Sequence, residues 1–328
     1  MNDGNYLEEA SMSEIVVRQS TTWQRVYAWA ALGALFAIAQ GYAYVAWIRS
    51  ADFRPVDLGA DPDPVPDSVK SMIDHYEWAS VLILIPVAIW FIFGIAKSRN
   101  IDAVRLMMIG WLSAYWLDPW LNFLRPMFTY NAYALNFGCW CRFIPFWQSS
   151  HTRIAEPLLI DAPSYFYTFT GTAVVALWAM RVVRKRWHRA GNVRLTLAGF
   201  AAIWMTMGML DIAASRFMGF DAWPGAFQRA SFWGGHYYQF PVYEFLLFPS
   251  VFVASAFLLM SADNNGYTAI ERGVDRLDGH AALRTALRVL AFVAFCNVLN
   301  LVYTTAMGVH ALYADPWPAD MPSWLVNK

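Results

Sequence analysis

The sequence predicts an all-α integral membrane protein, a polytopic bundle of seven helices with aromatic outer loops. Three observations predict it. The 328 residues are 58% hydrophobic. Only 15% are charged, against about a quarter in soluble domains. The apolar residues fall in runs near the roughly 20 residues needed to cross a bilayer.

The expected spans lie at about 25–48, 78–96, 104–123, 163–183, 194–214, 242–262 and 283–307. They form one membrane domain over 25–307, preceded by a polar tail at 1–24 and followed by a C-terminal tail at 308–328. The first apolar run exceeds the 7 to 15 residues of a signal-peptide core, so it is a permanent span. There is no polar linker, low-complexity segment or internal repeat.

Formal net charge is zero, yet the charges are sorted. Arg18 and Arg25 precede the first span; Lys97, Arg99 and Arg105 lie between spans two and three. Six basic residues from Arg181 to Arg194 and four from Arg272 to Arg288 bring the total on one side to 15 of the 24 Lys plus Arg. The positive-inside rule then puts the N-terminus in the cytoplasm and the C-terminus outside. A multi-pass location in a cell membrane follows, with lipids around it.

Two outer loops, Leu124 to Ala162 and Met218 to Phe240, are too long and too aromatic for plain connectors. They are expected to form a lid over the helix ends, or else an interfacial aromatic belt.

An ionisable side chain at membrane depth is costly and so marks a functional site. Asp118, Asp211 and Glu244 qualify, all in the outer half. Helical spacing sets Trp111, Tyr115, Asp118 and Asn122 on one stripe and Trp204 with Asp211 on another, while Asn297 and Asn300 line span seven. A common polar pocket is the simplest arrangement, because lipid cannot satisfy such stripes.

Pro119 removes a backbone donor and pushes Asp118 out of helical geometry, which makes Asp118 the first candidate. Glu244 can instead serve as a helix-start carboxylate, and Asp211 can pair with Arg216 or Arg229. Asn297 and Asn300 can be interhelical glue. From the loops, Glu156, Asp161, Arg125, Arg142, Arg153, Arg229, His236, Tyr237 and Tyr238 can close the pocket from above.

Six scattered histidines disfavour di-iron and haem sites. Cys139 and Cys141 make neither a disulfide framework nor a spaced zinc site. No dinucleotide fingerprint, Walker loop or serine elbow occurs. The expectation is therefore carboxylate acid–base chemistry with no cofactor, no metal and no nucleic-acid partner, on a small lipophilic substrate.

The segments DPWLN at Asp118, FLRPMFTYNAYALNFGCW, EPLL at Glu156 and VYEFLLF at Val242 resemble the AveC-like family of membrane spirocyclases. That resemblance implies a bacterial integral membrane protein of polyketide secondary metabolism that closes a spiroketal from a dihydroxy ketone, with dehydration in some members. It carries over no catalytic residues. On chemical grounds, Asp118 is expected as the proton donor and Asp211 or Glu244 as base or cation stabiliser. Trp111, Tyr115 and Trp204 would wall the pocket, and Asn122 would orient the acid. Two other readings stay open: a membrane terpene or isoprenoid cyclase or isomerase, and a non-enzymatic lipid carrier, sensor or transporter.

Overall fold

A computed structural model describes residues 4–56, 58, 63–97, 101–277 and 280–326, with backbone alone for 4–24. Arg99 and the Arg18 side chain lie outside what is described, so their part in the charge sorting has no structural account.

Five of the described helices are long and apolar enough to cross a membrane, as expected of a multi-pass protein. They are α1 (Gly4–Ile48, its apolar part Arg25–Ile48), α2 (Asp67–Lys97), α4 (Asp161–Arg186), α5 (Asn192–Met218) and α7, whose α-helical part is Ala281–His310. Two further expected spans form shorter helices. The segment α3 (Ala103–Ala114) continues as a 3₁₀ helix over Tyr115–Asn122, and α6 covers Glu244–Met260.

Helix α7 is the centre of the bundle. Close approach of α1 and α3 to it depends on small residues: a side chain at Gly33 would run into the Leu290 backbone carbonyl, and one at Gly110 into that of Phe292. On the other flank, α4, α5 and α6 meet around Gly199, which faces Met180, Val253 and Ala176. Helix α2 stands at the edge with Trp78, Leu82, Ile92 and Phe93 exposed. It is held by a 3.1 Å hydrogen bond between the Ser80 and Tyr167 hydroxyls and by edge contacts of Phe91 on Phe166 and Tyr76 on Phe220.

The aromatic loops form an ordered cap at one end of the bundle. Strands β1 (Thr129–Tyr130) and β2 (Asp221–Ala222) pair antiparallel and join the two loops, with Tyr130 opposite Asp221. Strands β3 (Ser231–Phe232) and β4 (Phe240–Pro241) close a second clasp. The C-terminal segment docks on the same layer, where Ala132 N donates to Trp324 O and the Thr129 hydroxyl to Leu325 O. Cys139 and Cys141 are disulfide-bonded to each other inside the cap, a local ring rather than a framework.

Candidate functional site: a carboxyl-lined cavity

The local fold at Asp118 differs from the straight helical stripe read from the sequence. The α-helix ends at Ala114, four residues before the acid, and Tyr115–Asn122 winds as a 3₁₀ helix with Pro119 inside it. At three residues per turn, side chains at i and i+3 eclipse. Tyr115, Asp118 and Leu121 therefore share one face, and Asn122 is rotated about a third of a turn away. The Asn122 side-chain oxygen Oδ1 accepts from Met127 N (2.7 Å) and Phe128 N (2.9 Å), so it fixes the turn into β1 rather than orienting the acid. That turn delivers Tyr130.

Both oxygens of Asp118 are occupied by phenols: the Tyr130 hydroxyl donates to Oδ2 at 2.9 Å and the Tyr165 hydroxyl to Oδ1 at 2.8 Å. The Asn300 amide donates to the Tyr165 oxygen (3.2 Å) and to Ala114 O (3.0 Å), bracing the phenol against the last α-helical turn before the acid. Tyr165 lies in a π-helical stretch, Ser164–Thr168, where the extra residue per turn re-aims side chains.

Asp161 extends this wall, and Glu156 joins Asp118 and Asp161 in one carboxyl cluster. One carboxylate oxygen from each of Asp118, Glu156 and Asp161 lies within 4.8 Å of the others. Glu156 is 2% exposed and its oxygens meet the Asp118 carboxyl but no N–H or hydroxyl donor; no donor reaches Asp161 Oδ2 either. Burial, followed by the neighbouring carboxylates of Asp118 and Asp161, pushes the Glu156 carboxyl well above its ordinary range. An all-oxygen donor set of this kind suits a hard divalent cation.

Asp211, Asp221 and Glu244 line a second stretch of the cavity wall. Asp211 sits between two π-helical stretches of α5, Trp204–Gly208 and Ala214–Met218. The chain leaves α5 through Gly219 in the left-handed region (φ 61°), which an L side chain would strain, and so turns Asp221 back over the cavity. Asp221 accepts from the Ser215 hydroxyl, and burial pushes its carboxyl up to about 7. Glu244 opens α6 and accepts from the Tyr303 hydroxyl at 2.6 Å, leaving Oε2 without a partner.

The two walls enclose a cavity of about 100 Å³, with Tyr76, Phe128, Phe169, Phe220, Trp223 and Phe248 supplying aromatic surface. No lysine, arginine or histidine lines it among the described residues. Asp118, Asp211 and Glu244 thus share one pocket. Asp211 forms no ion pair with Arg216 or Arg229 among the described residues; the Arg216 guanidinium lies 4.0 Å over the Tyr238 ring, and Arg229 is exposed.

Several expected pocket residues stand elsewhere. Trp111 is fully buried between Phe169 and Phe252, and Trp204 is 41% exposed with its indole donating to Phe245 O. Tyr115 packs on Tyr165 and Trp140 behind the wall. Asn297 accepts from the Trp116 indole (2.7 Å) and donates to Ser113, an interhelical tie. His236 pairs with Asp320 on the cap surface, where the Tyr237 amide also bonds that carboxylate. Arg125 reaches Leu312 O, Arg142 pairs with Asp52, and Arg153 lines a separate small cavity.

Sequence reasoning missed Tyr130, Tyr165, Asp221 and Tyr303. Two were within reach: Tyr165 follows Asp161 at i+4 and Tyr303 follows Asn300 at i+3, each on a face already carrying polar groups. Asp221 resembles any loop charge until β1 and β2 pair.

No curated protein and no solved structure matches the chain. The family model described as "Spirocyclase AveC-like" matches residues 98–326, which include the acids of both walls and the two loops of the cap. The chain belongs to the spirocyclase AveC-like family.

Proposed function

We propose that this protein is a membrane-embedded cyclase that closes a lipophilic dihydroxy ketone into a spiroketal. The observation that carries the reading is one aromatic-walled cavity lined by Asp118, Asp161, Asp211, Asp221 and Glu244, with no basic residue among the described residues that line it. The family favours spiroketal closure over terpene chemistry, which the same inventory of acids and rings would also suit.

Atoms balance simply. One hydroxyl oxygen bonds the carbonyl carbon to give a hemiketal; its C–OH bond then breaks, leaving an oxocarbenium cation that the second hydroxyl captures. The two hydroxyl protons and the carbonyl oxygen leave as one water. The Asp118 wall is the electrophilic pole. Three carboxyls so close cannot all remain uncompensated anions, and Asp118, which lines the cavity, donates a proton to the carbonyl oxygen and then to the departing hydroxyl, which leaves as water. The Asp211 and Glu244 wall takes the hydroxyl proton and faces the cation, and the surrounding rings stabilise it further by cation–π contact.

Seven membrane crossings follow if α3 with its 3₁₀ extension and α6 both traverse the bilayer. The basic-loop pattern then places the N-terminus inside and the cap, with the cavity, outside.

Full-length protein in proteoliposomes, supplied with a synthetic dihydroxy ketone, tests the reading. Asp118→Asn, Asp211→Asn and Glu244→Gln are each expected to slow product formation by roughly 10² to 10⁴-fold. Unchanged turnover in all three would refute carboxyl catalysis. Binding without any product would support a carrier.

A further inference from the structure

We propose that Asp118, Glu156 and Asp161 form a binding site for one hard divalent cation of the magnesium, manganese or calcium class. The site stands independently of the cyclase reading, because it rests on geometry and unmet bonding alone.

Three features converge. First, the carboxylate oxygens lie within 4.8 Å of one another, and oxygens bound to a common ion at about 2.1 to 2.5 Å cannot be further apart than about twice that distance. Second, Glu156 is 2% exposed and no N–H or hydroxyl donor reaches either of its oxygens, whose one hydrogen-bonding neighbour is the Asp118 carboxyl, and Asp161 brings a further oxygen that no donor reaches. A buried carboxylate without such donors or counter-charge is rare in folded proteins unless an ion completes it. Third, the Tyr130 and Tyr165 hydroxyls hold Asp118 in place while leaving lone pairs free on both of its oxygens, the way outer-shell donors orient a metal-ligating carboxylate.

The ligand chemistry selects the ion. No imidazole or thiol belongs to the group, and the nearby cysteines are bonded to each other, so the soft and borderline metals have no anchor. Three carboxylates leave coordination positions open. Asp118 and Asp161 line the cavity and Glu156 does not, so the open positions face the cavity, where a carbonyl oxygen would reach the ion.

The test is manganese binding to chelator-stripped, detergent-solubilised full-length protein, followed by the paramagnetic resonance of free Mn²⁺. One ion per chain is expected, displaced by Mg²⁺ or Ca²⁺ and raising the melting temperature. Glu156→Gln keeps shape and removes one ligand charge; it should weaken binding at least tenfold, and Asp161→Asn likewise. Asp211→Asn, outside the three-carboxylate cluster, should bind as wild type. A cooperative melt for each variant separates lost binding from lost fold. Absence of a saturable site in folded wild-type protein, or undiminished binding by folded Glu156→Gln, overturns the proposal. If the ion binds as described and no spiroketal forms, the site stands and the cyclase reading falls.

Discussion

The Tyr165 hydroxyl donates to Asp118 Oδ1 at 2.8 Å and accepts from the Asn300 amide at 3.2 Å, so one phenol ties the acid of the 3₁₀ helix to the centre of α7. A hydrogen bond to a charged group is worth about 1.5 to 3 kcal/mol. Tyr165→Phe should therefore slow turnover by roughly ten- to a hundredfold while the protein still melts cooperatively. Wild-type turnover by Tyr165→Phe would show that Asp118 needs no such restraint.

Asp221 contributes to the pH dependence of stability, in the same direction as the raised Glu156 carboxyl. The Asp221 carboxyl binds a proton more tightly in the folded chain, up to about 7, because burial penalises the charge. Below the ordinary carboxylate range both states are protonated and Asp221 contributes nothing. As pH rises toward 7 the unfolded chain gains by ionising first, so stability falls; above 7 the full cost persists. Asp221→Asn, which can still accept from Ser215, should lessen this decline in melting temperature between pH 4.5 and 8. An unaltered profile would mean that Asp221 is not among the groups responsible.

Away from the cavity, Arg288 Nε donates to Glu271 Oε1 at 2.6 Å with both side chains almost fully buried, and the Thr268 amide and hydroxyl hold the other oxygen. Removing one partner of such a pair strands a buried charge at about 3 to 5 kcal/mol. Arg288→Met should lower the melting temperature sharply, and adding Glu271→Gln should recover part of the loss. Failure of the second change to recover anything would show that the pair is not the source of the cost.

Gly33 makes a steric prediction. An added Cβ would lie 1.9 Å from the Leu290 carbonyl oxygen, a backbone atom that cannot step aside. Gly33→Val should separate α1 from α7 and destabilise the fold, whereas Gly41→Ala, with open space around it, should be silent. Equal melting temperatures for the two would contradict this packing.

Orientation is checked by tagging the Arg181–Arg194 loop and the C-terminus in intact cells. The loop tag should be protected and the C-terminal tag accessible; the reverse result would turn the cavity to the cytoplasm.

The sequence alone determined what the bilayer enforces. Apolar runs at spanning length, basic loops, and acids too costly to leave in lipid follow from composition and order, and they pointed to Asp118, Asp211 and Glu244 with Glu156 and Asp161 beside them. Two features escaped it because they depend on angles and on distant pairing. A helix tightening from 3.6 to three residues per turn at Tyr115 carried Asn122 off the Asp118 face, and nothing in one-dimensional spacing records that change. Only the pairing of Tyr130 with Asp221, across about ninety residues, set the phenol on one acid wall and a new carboxyl on the other. Membrane physics acts on each segment separately and is written locally. The cavity exists only where segments meet, so tertiary structure decided which acids share it.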